Sequence, residues 1–347
     1  MARASKLERR AAEGETDRVS FRPDEVLVDP EGNIWVADAS AGRILGASRD
    51  GAVHTEIAAP ELRGPHGLAL DRAGGRLYVA DPAALRVWQI ELGRPGGAAP
   101  VTPVAVAGAA VFGSPELPGP ASSSGLSGPA SAALPPALAL ALDEDERGLY
   151  LACAGAEPAS GRVARLNLDN GTISLIGHAD GAPCAPAPPA LDLALGGAGF
   201  DRPRGLALSP DRARLYVADA DAVYWIELAT GAVTCLAGPR APTPPRPRAD
   251  DHRLRAVGGL TLAPAGLVVT DPGAGALRGV NLRHGTVVTI WPGRGQDPLC
   301  EPVAVAFDRT DLSYVVAERG NDRLLRIARD AACARPIELH SPHLPTN

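Results

Sequence analysis

Six stretches of this chain follow one pattern. A short apolar run meets a polar turn, and a second apolar run then closes on an acidic residue in all copies but one. The copies are EVLVDPEGNIWVAD ending at Asp38, GLALDRAGGRLYVAD ending at Asp81, ALALDEDERGLYLAC ending at Cys153, GLALSPDRARLYVAD ending at Asp219, GLTLAPAGLVVTD ending at Asp271, and AVAFDRTDLSYVVAE ending at Glu318. Each copy begins with a four- or five-residue apolar run rich in Leu, Val and Ala and bounded by Asp, Pro or Gly, which is strand and turn chemistry. A unit of this kind cannot bury both its faces alone, so copies must stack on one another. Several copies continue into a hairpin, as in GRVARLNLDNGTISLIG, AVYWIELATGAVTCLAG and ALRGVNLRHGTVVTIWPG. These turn at Asn170-Gly171, Thr230-Gly231 and His284-Gly285, where glycine accepts a positive φ.

Four strands per unit and six units predict an all-β fold, a six-bladed β-propeller of four-stranded antiparallel blades over residues 18–340. The competing arrangement is a β-sandwich with linkers, which six in-phase copies argue against. The place where the blade count is open is around residues 109–136. Aromatic content is only 4%, which a propeller tolerates because burial is shared among several blade interfaces. The runs Pro65–Asp81, Pro203–Asp219 and Val257–Asp271, with the trailing VTCLAG (233–238) and VVTIWPG (287–293), resemble the NHL-repeat family. The resemblance spans about residues 23–340 and implies the fold. A propeller scaffold hosts many activities, so it implies little about function.

Residues 1–17 are charged and aperiodic, and are expected to be a disordered or short helical tail; residues 341–347 form a C-terminal tail. RVSFR (18–22) alternates as a strand does. The last blade could therefore be closed from the N-terminus, or from RLLRIARD (323–330) and RPIELH (335–340). The formal net charge of -6 argues against a generally basic nucleic-acid binder. The five cysteines are odd in number and none are spaced as CxxC, which speaks against a disulfide framework or structural zinc and for a reducing compartment. MARASKLERRAAEGE lacks the apolar core of a signal peptide, and no run approaches the ~18 consecutive apolar residues of a membrane helix. The expectation is a cytoplasmic protein with no membrane contact.

In a four-stranded meander the connections alternate between two ends. The first-to-second and third-to-fourth turns are mostly tight, whereas the blade-to-blade crossovers are long: about Gly108 to Pro136, Gly177 to Pro203, Gly238 to Ala256 and Pro292 to Pro302. Loops above ~12–15 residues are uncommon unless functional or disordered. Here several share one end, together with the second-to-third turns. The inner strands also begin there. Aligning the copies on the residue before the first-strand Gly or its equivalent gives Asp24, His66, Leu138, Arg204, Gly258 and Val303. Asp24, His66 and Arg204 are the candidate ligand-binding residues. Arg would supply a fork for an anion or carboxylate, His a proton or donor, and Asp an orienting acceptor. A water-filled funnel with solvated side chains is the alternative. The aspartates that end the second runs read as Asx-turn formers, and Cys153 breaks that series.

Three enzyme-bearing propeller families offer comparisons. Lactonases of the gluconolactonase type bind a divalent cation through Glu, Asn and Asp. Glu25 can stand for the first, but Arg204 and Gly258 occupy two of the other places, which removes oxygen ligands a hard cation needs. PHGLAL (65–70) is similar to a strand start of the peptidyl-hydroxyglycine lyase, yet only His66 holds a histidine slot, and a catalytic zinc normally takes three protein ligands. Glu25-Val26 somewhat resembles the first blade of strictosidine synthase, with no second catalytic residue to place. GxGxxG, P-loop, GxSxG and HExxH motifs are absent. No catalytic residue, metal or cofactor is therefore assigned. The crossover RAPTPPRPRADDHRLR is arginine-rich but diluted by Asp250 and Asp251 and has no interleaved aromatic, which leaves RNA binding a minor reading. The function expected from sequence is a non-enzymatic scaffold engaging a protein or peptide through the long-loop face. The alternative is small-ligand binding or hydrolase/lyase-type chemistry in the funnel around Asp24, His66 and Arg204.

Overall fold

The computed structural model describes residues 18–341, apart from 72, 74, 93–103, 108–134, 144–146, 156–159, 170, 172, 177–199 and 239–252. Blade one is β1 (Glu25–Val28), β2 (Ile34–Asp38), β3 (Arg43–Ala47) and β4 (Val53–Ala58). Blade two is β5 (Leu68–Leu70), β6 (Arg76–Asp81), β7 (Arg86–Glu91) and β8 (Val104–Ala107). Blade three is β9 (Ala137–Leu142), β10 (Gly148–Cys153), β11 (Arg162–Asn167) and β12 (Ile173–Ile176). Blade four is β13 (Pro203–Leu208), β14 (Arg214–Asp219), β15 (Ala222–Glu227) and β16 (Val233–Ala237). Blade five is β17 (Leu260–Ala263), β18 (Gly266–Asp271), β19 (Ala276–Val280) and β20 (Val287–Trp291). Blade six is β21 (Pro302–Asp308), β22 (Ser313–Glu318), β23 (Arg323–Ile327) and β24 (Ala334–Ile337). Each blade is a separate antiparallel sheet with its strands in chain order. The expected six-bladed propeller is the observed fold, and the blade count around residues 109–136 stays at six. The crossover residues 108–134, 177–199 and 239–252 lie outside the described residues, as do the tails 1–17 and 342–347.

The second strand of every blade is buried along its length, save for the leading Arg76 of β6 and Arg214 of β14. Its side chains alternate between two neighbours because successive Cβ atoms point to opposite faces. In β6, Leu77 and Val79 pack with Trp35 and Ile44 of blade one, whereas Tyr78 and Ala80 pack with Leu149 and Leu151 of blade three. The pattern continues around the ring. Among the described residues there are six apolar clusters, and each joins one pair of adjacent blades. Among the described residues burial is therefore divided among blade interfaces, which is how a chain with few aromatics can bury enough apolar surface.

Ring closure uses the C-terminus, which supplies all four strands of blade six. The chain beyond β24 then runs between the N-terminal segment and blade one. The Val19 N–H donates to the Leu339 carbonyl at 2.9 Å, the Val53 N–H to the His340 carbonyl at 2.9 Å, and the His340 N–H to the Gly51 carbonyl at 3.0 Å. RVSFR is thus not a strand of blade six. It makes an isolated bridge, Arg18 with His340, and lays Phe21 into the cluster between blades six and one. Phe21 is 8% exposed, so truncating it opens a cavity at the closing seam. Phe21→Ala is expected to lower unfolding free energy by about 3 kcal/mol in urea titrations.

Candidate functional site

Two sets of polar side chains organise the ends of the blades. Where the first strand turns into the second, the residue after the first strand ties the turn. Asp29 accepts the Asn33 N–H at 2.8 Å, Asp71 the Gly75 N–H at 2.8 Å, and Ser209 Oγ the Arg214 N–H at 2.9 Å. At the opposite end, the acid closing the second strand does more than form a local turn. Asp81 accepts the Ala84 N–H three residues on, but also the N–H groups of Arg63 and Gly64 from the incoming crossover, at 2.8 and 3.0 Å. Asp271 accepts from Ala274 and likewise from Arg255 and Ala256. Asp219 accepts from Asp201 and Arg202, and Glu318 from Cys300. The sequence reading as simple Asx-turns was therefore incomplete, because hydrogen bonds across 15 to 18 residues leave no local signature. Cys153, in the same place of blade three, is fully buried among apolar side chains. Burial pushes its thiol up to about 12, so it is an inert packing group.

The acid clamps deliver the crossovers to the axis, where a cavity of about 540 Å³ opens. Asp24, His66 and Arg204 all line it, so the structure brings the three sequence candidates to one mouth. Gly258 and Val303 line it from blades five and six, whereas Leu138 contributes its backbone carbonyl, which attracts the His66 ring. A side chain at 258 has no room: a Cβ there would stand 2.6 Å from Thr270 Oγ1 and 2.7 Å from the Val303 carbonyl oxygen. The far end of the axis differs in chemistry. A cavity of about 300 Å³ there is lined by Leu27, Leu70, Leu142 and Leu208 with a single polar neighbour, Ser209.

Several residues of the polar mouth were not singled out from sequence. Arg319 bridges the ring, donating from Nη1 to Asp24 Oδ1 at 3.2 Å and from Nη2 to Glu301 Oε1. The Ala39 N–H holds the second oxygen of Asp24 at 3.1 Å. Asp24 is thereby committed to the protein. Arg319 and Asp221 were nevertheless findable. In the column of residues following the second strand, Arg319 stands among Ala39, Pro82, Ala154, Ala220 and Pro272. In the next column Asp221 stands among Ser40, Ala83, Gly155, Gly273 and Gly320. Each is the only charged residue of its column, and both columns belong to the end of the blade that carries the crossovers.

The electrostatics follow from this crowding. Burial lowers the Arg204 guanidinium from its usual range, and the charges of Arg319 and Arg202 lower it further, against Glu301. No described residue gives Arg204 a hydrogen bond or an ion pair. Burial also lowers His66, with Arg204 and Arg319 adding to the effect against Asp24, so the imidazole is neutral near pH 7. Glu25 moves the other way: burial, aided by the neighbouring charge of Asp24, pushes its carboxyl up to about 8 despite a hydrogen bond from the Val26 N–H. It is protonated at neutral pH. Two polar atoms at this mouth, His66 Nδ1 and Arg319 Nε, are buried and have no hydrogen-bond partner. Such atoms are rare in folded proteins and mark places that a further group can satisfy. Among the described residues no cluster of three or more His, Cys, Asp or Glu side chains is placed to hold a metal ion, and no helix is long and apolar enough to cross a membrane.

No protein-family model matches the chain. No curated protein matches it either. Solved structures do. Virginiamycin B lyase from Staphylococcus aureus is similar over 95% of this chain and 89% of its own, with a TM-score of 0.53 and 14% identity. The hydrazine synthase of Kuenenia stuttgartiensis is similar over 92% and 80%, with a TM-score of 0.55 and 14% identity. A chain of a nidogen/laminin complex is similar over 78% and 79%, with a TM-score of 0.52 and 15% identity. At this identity the likeness shows a shared propeller fold. The bearers include a lyase, a synthase and a chain of a protein complex, so the fold carries no single activity.

Proposed function

We propose that the polar mouth of the propeller binds a small ligand through an anionic group. The observation that carries this reading is Arg204, a partly buried guanidinium that lines the cavity and is held by no described residue. A charged group that gains no internal partner from folding stays costly to desolvate. A carboxylate or phosphate entering the cavity would supply the missing acceptor in bidentate geometry. Two further features fit an acceptor ligand: the protonated Glu25 carboxyl, an O–H donor at neutral pH, and Arg319 Nε, a buried N–H without an acceptor. The neutral His66 beside them can donate to a ligand or accept from it.

A second reading, engagement of a protein or peptide partner, is favoured by one observation. The chain leaves β8 at Ala107 and returns at Ala137, and leaves β12 at Ile176 and returns at Pro203, both times toward the end of the propeller that bears the cavity. The resemblance to NHL-type repeats is compatible with either reading, and the two make different demands on Arg204.

Calorimetric titration with acetate, succinate and inorganic phosphate at low salt tests the first reading. At least one is expected to bind. Arg204→Gln is expected to weaken that binding about 10- to 100-fold, the value of a charge-assisted hydrogen bond. Absence of binding by all three anions, or equal affinity in the variant, overturns it. Retention of a protein partner by Arg204→Gln would favour the second reading.

The protonated state of Glu25 has its own test. Unfolded, this carboxyl ionises near 4.5; folded, near 8. Between those values the folded chain holds a proton that the unfolded chain releases, so this group's contribution to stability is full below pH 4.5 and is lost as pH rises to 8. Glu25→Gln cannot ionise. Its melting temperature is expected to match the wild type near pH 4.5 and to exceed it by several degrees at pH 9. A constant difference across that range would contradict a protonated Glu25.

A further inference from the structure

We infer that the ligand of this mouth is a small zwitterion, an amino carboxylate whose carboxylate meets Arg204 and whose ammonium meets Asp221. The inference rests on the anion-binding reading above and narrows it to one ligand class.

The argument begins from which charges the protein has already used. The cavity is lined by Arg202, Arg204, Arg255 and Arg319, and, besides Glu25, by the acids Asp24, Asp201, Asp221 and Glu301. Arg319 takes Asp24 and Glu301 together. Arg255 and Asp201 each have a partner. Among the described lining residues, what remains is Arg204 at the start of β13 and Asp221 between β14 and β15, with Arg202 exposed at the rim. Asp221 is half-buried, and no described residue gives it a hydrogen bond or ion pair.

Arg204 and Asp221 sit on the same blade and line the same cavity, yet they form no ion pair within 4.0 Å. Opposite charges free to move would close on one another. Here both backbones are held. Pro203 pairs with Asp219 across the sheet, fixing the start of β13 against the end of β14. The turn bearing Asp221 is pinned by the Val257 N–H, which donates to the Ala220 carbonyl at 2.5 Å, and Ala220 itself adopts a left-handed φ of 48°. Glycine or asparagine would enter that conformation more easily, so the surrounding contacts impose it. The result is a positive and a negative group that line one cavity without pairing, with Val257, Pro272 and Val303 among its apolar lining. That arrangement is complementary to a molecule carrying both charges on a short apolar frame. It disfavours a simple carboxylate, which leaves Asp221 without a cation, and a simple amine, which leaves Arg204 without an anion.

The test needs only the intact wild-type chain and paired probes. One series is the amino carboxylates from glycine to 6-aminohexanoate; the other is the alkyl carboxylates of the same chain lengths. Calorimetry at pH 7 is expected to show at least one amino carboxylate binding tenfold or more tighter than its alkyl counterpart. Asp221→Asn, which keeps the side-chain shape, is expected to remove that preference while leaving alkyl carboxylate binding and the melting temperature near wild type. Should alkyl carboxylates bind and no amino carboxylate exceed its counterpart, the zwitterion assignment is overturned and the anion reading survives. A preference that persists in Asp221→Asn also overturns it. If nothing in either series binds, both readings fall.

Discussion

A carboxylate buried at the end of the second strand organises much of this molecule. Asp81, Asp219, Asp271 and Glu318 each reach across to backbone N–H groups at the end of the preceding crossover, which would otherwise enter the ring unsatisfied. Three of them also accept from the local turn or from the arginine of the third strand: Asp81 from Ala84, Asp271 from Ala274 and from Arg278 at 3.4 Å, and Glu318 from Arg323. In those three blades one side chain thereby joins three pieces of chain: the strand it ends, the turn or third strand that follows, and the connection arriving from the previous blade. Burying such a charge is tolerable because several donors converge on it. Asp219 shows how close the balance is. Burial lifts its carboxyl to about 6 although two backbone N–H groups oppose the shift, and the charges of Asp201 and Asp221 lift it further.

This clamp also explains why the interesting chemistry collects at one end. The crossovers are delivered to the axis at the level where the inner strands begin, so residues just before and at the first strands meet there. So do the residues following the second strands. Glu301 and Arg202 arrive by the first route, Arg319 and Asp221 by the second. At the other end the turns between first and second strands are short, and the inner strands finish in Leu70, Leu142 and Leu208. The two mouths therefore differ in polarity for a topological reason rather than through any one residue.

The candidate site was legible in part. Asp24, His66 and Arg204 follow from aligning the copies, because residues in one repeat column must lie at one height on the axis. Their roles were less legible. Asp24 is an orienting acceptor, but for Arg319 and the Ala39 N–H of the protein itself. Arg204 has no such partner among the described residues, and that difference depends on side-chain reach across blades four, six and one. The protonation of Glu25 also had no sequence signal, since burial at the axis, rather than a neighbouring residue in the chain, is its largest cause.

The sequence by itself determined the strand grammar, the number of blades and the end of each blade at which the long connections leave. All three are encoded by local periodicity and by turn residues, which act within a few positions. Tertiary structure alone decided how the ring closes, which carboxylates are spent on backbone N–H groups, and which charges at the mouth remain uncommitted. Those outcomes turn on contacts such as Arg319 with Asp24, 295 positions apart in the chain. Only ring closure makes such residues neighbours, and a chain read in order holds no record of that distance.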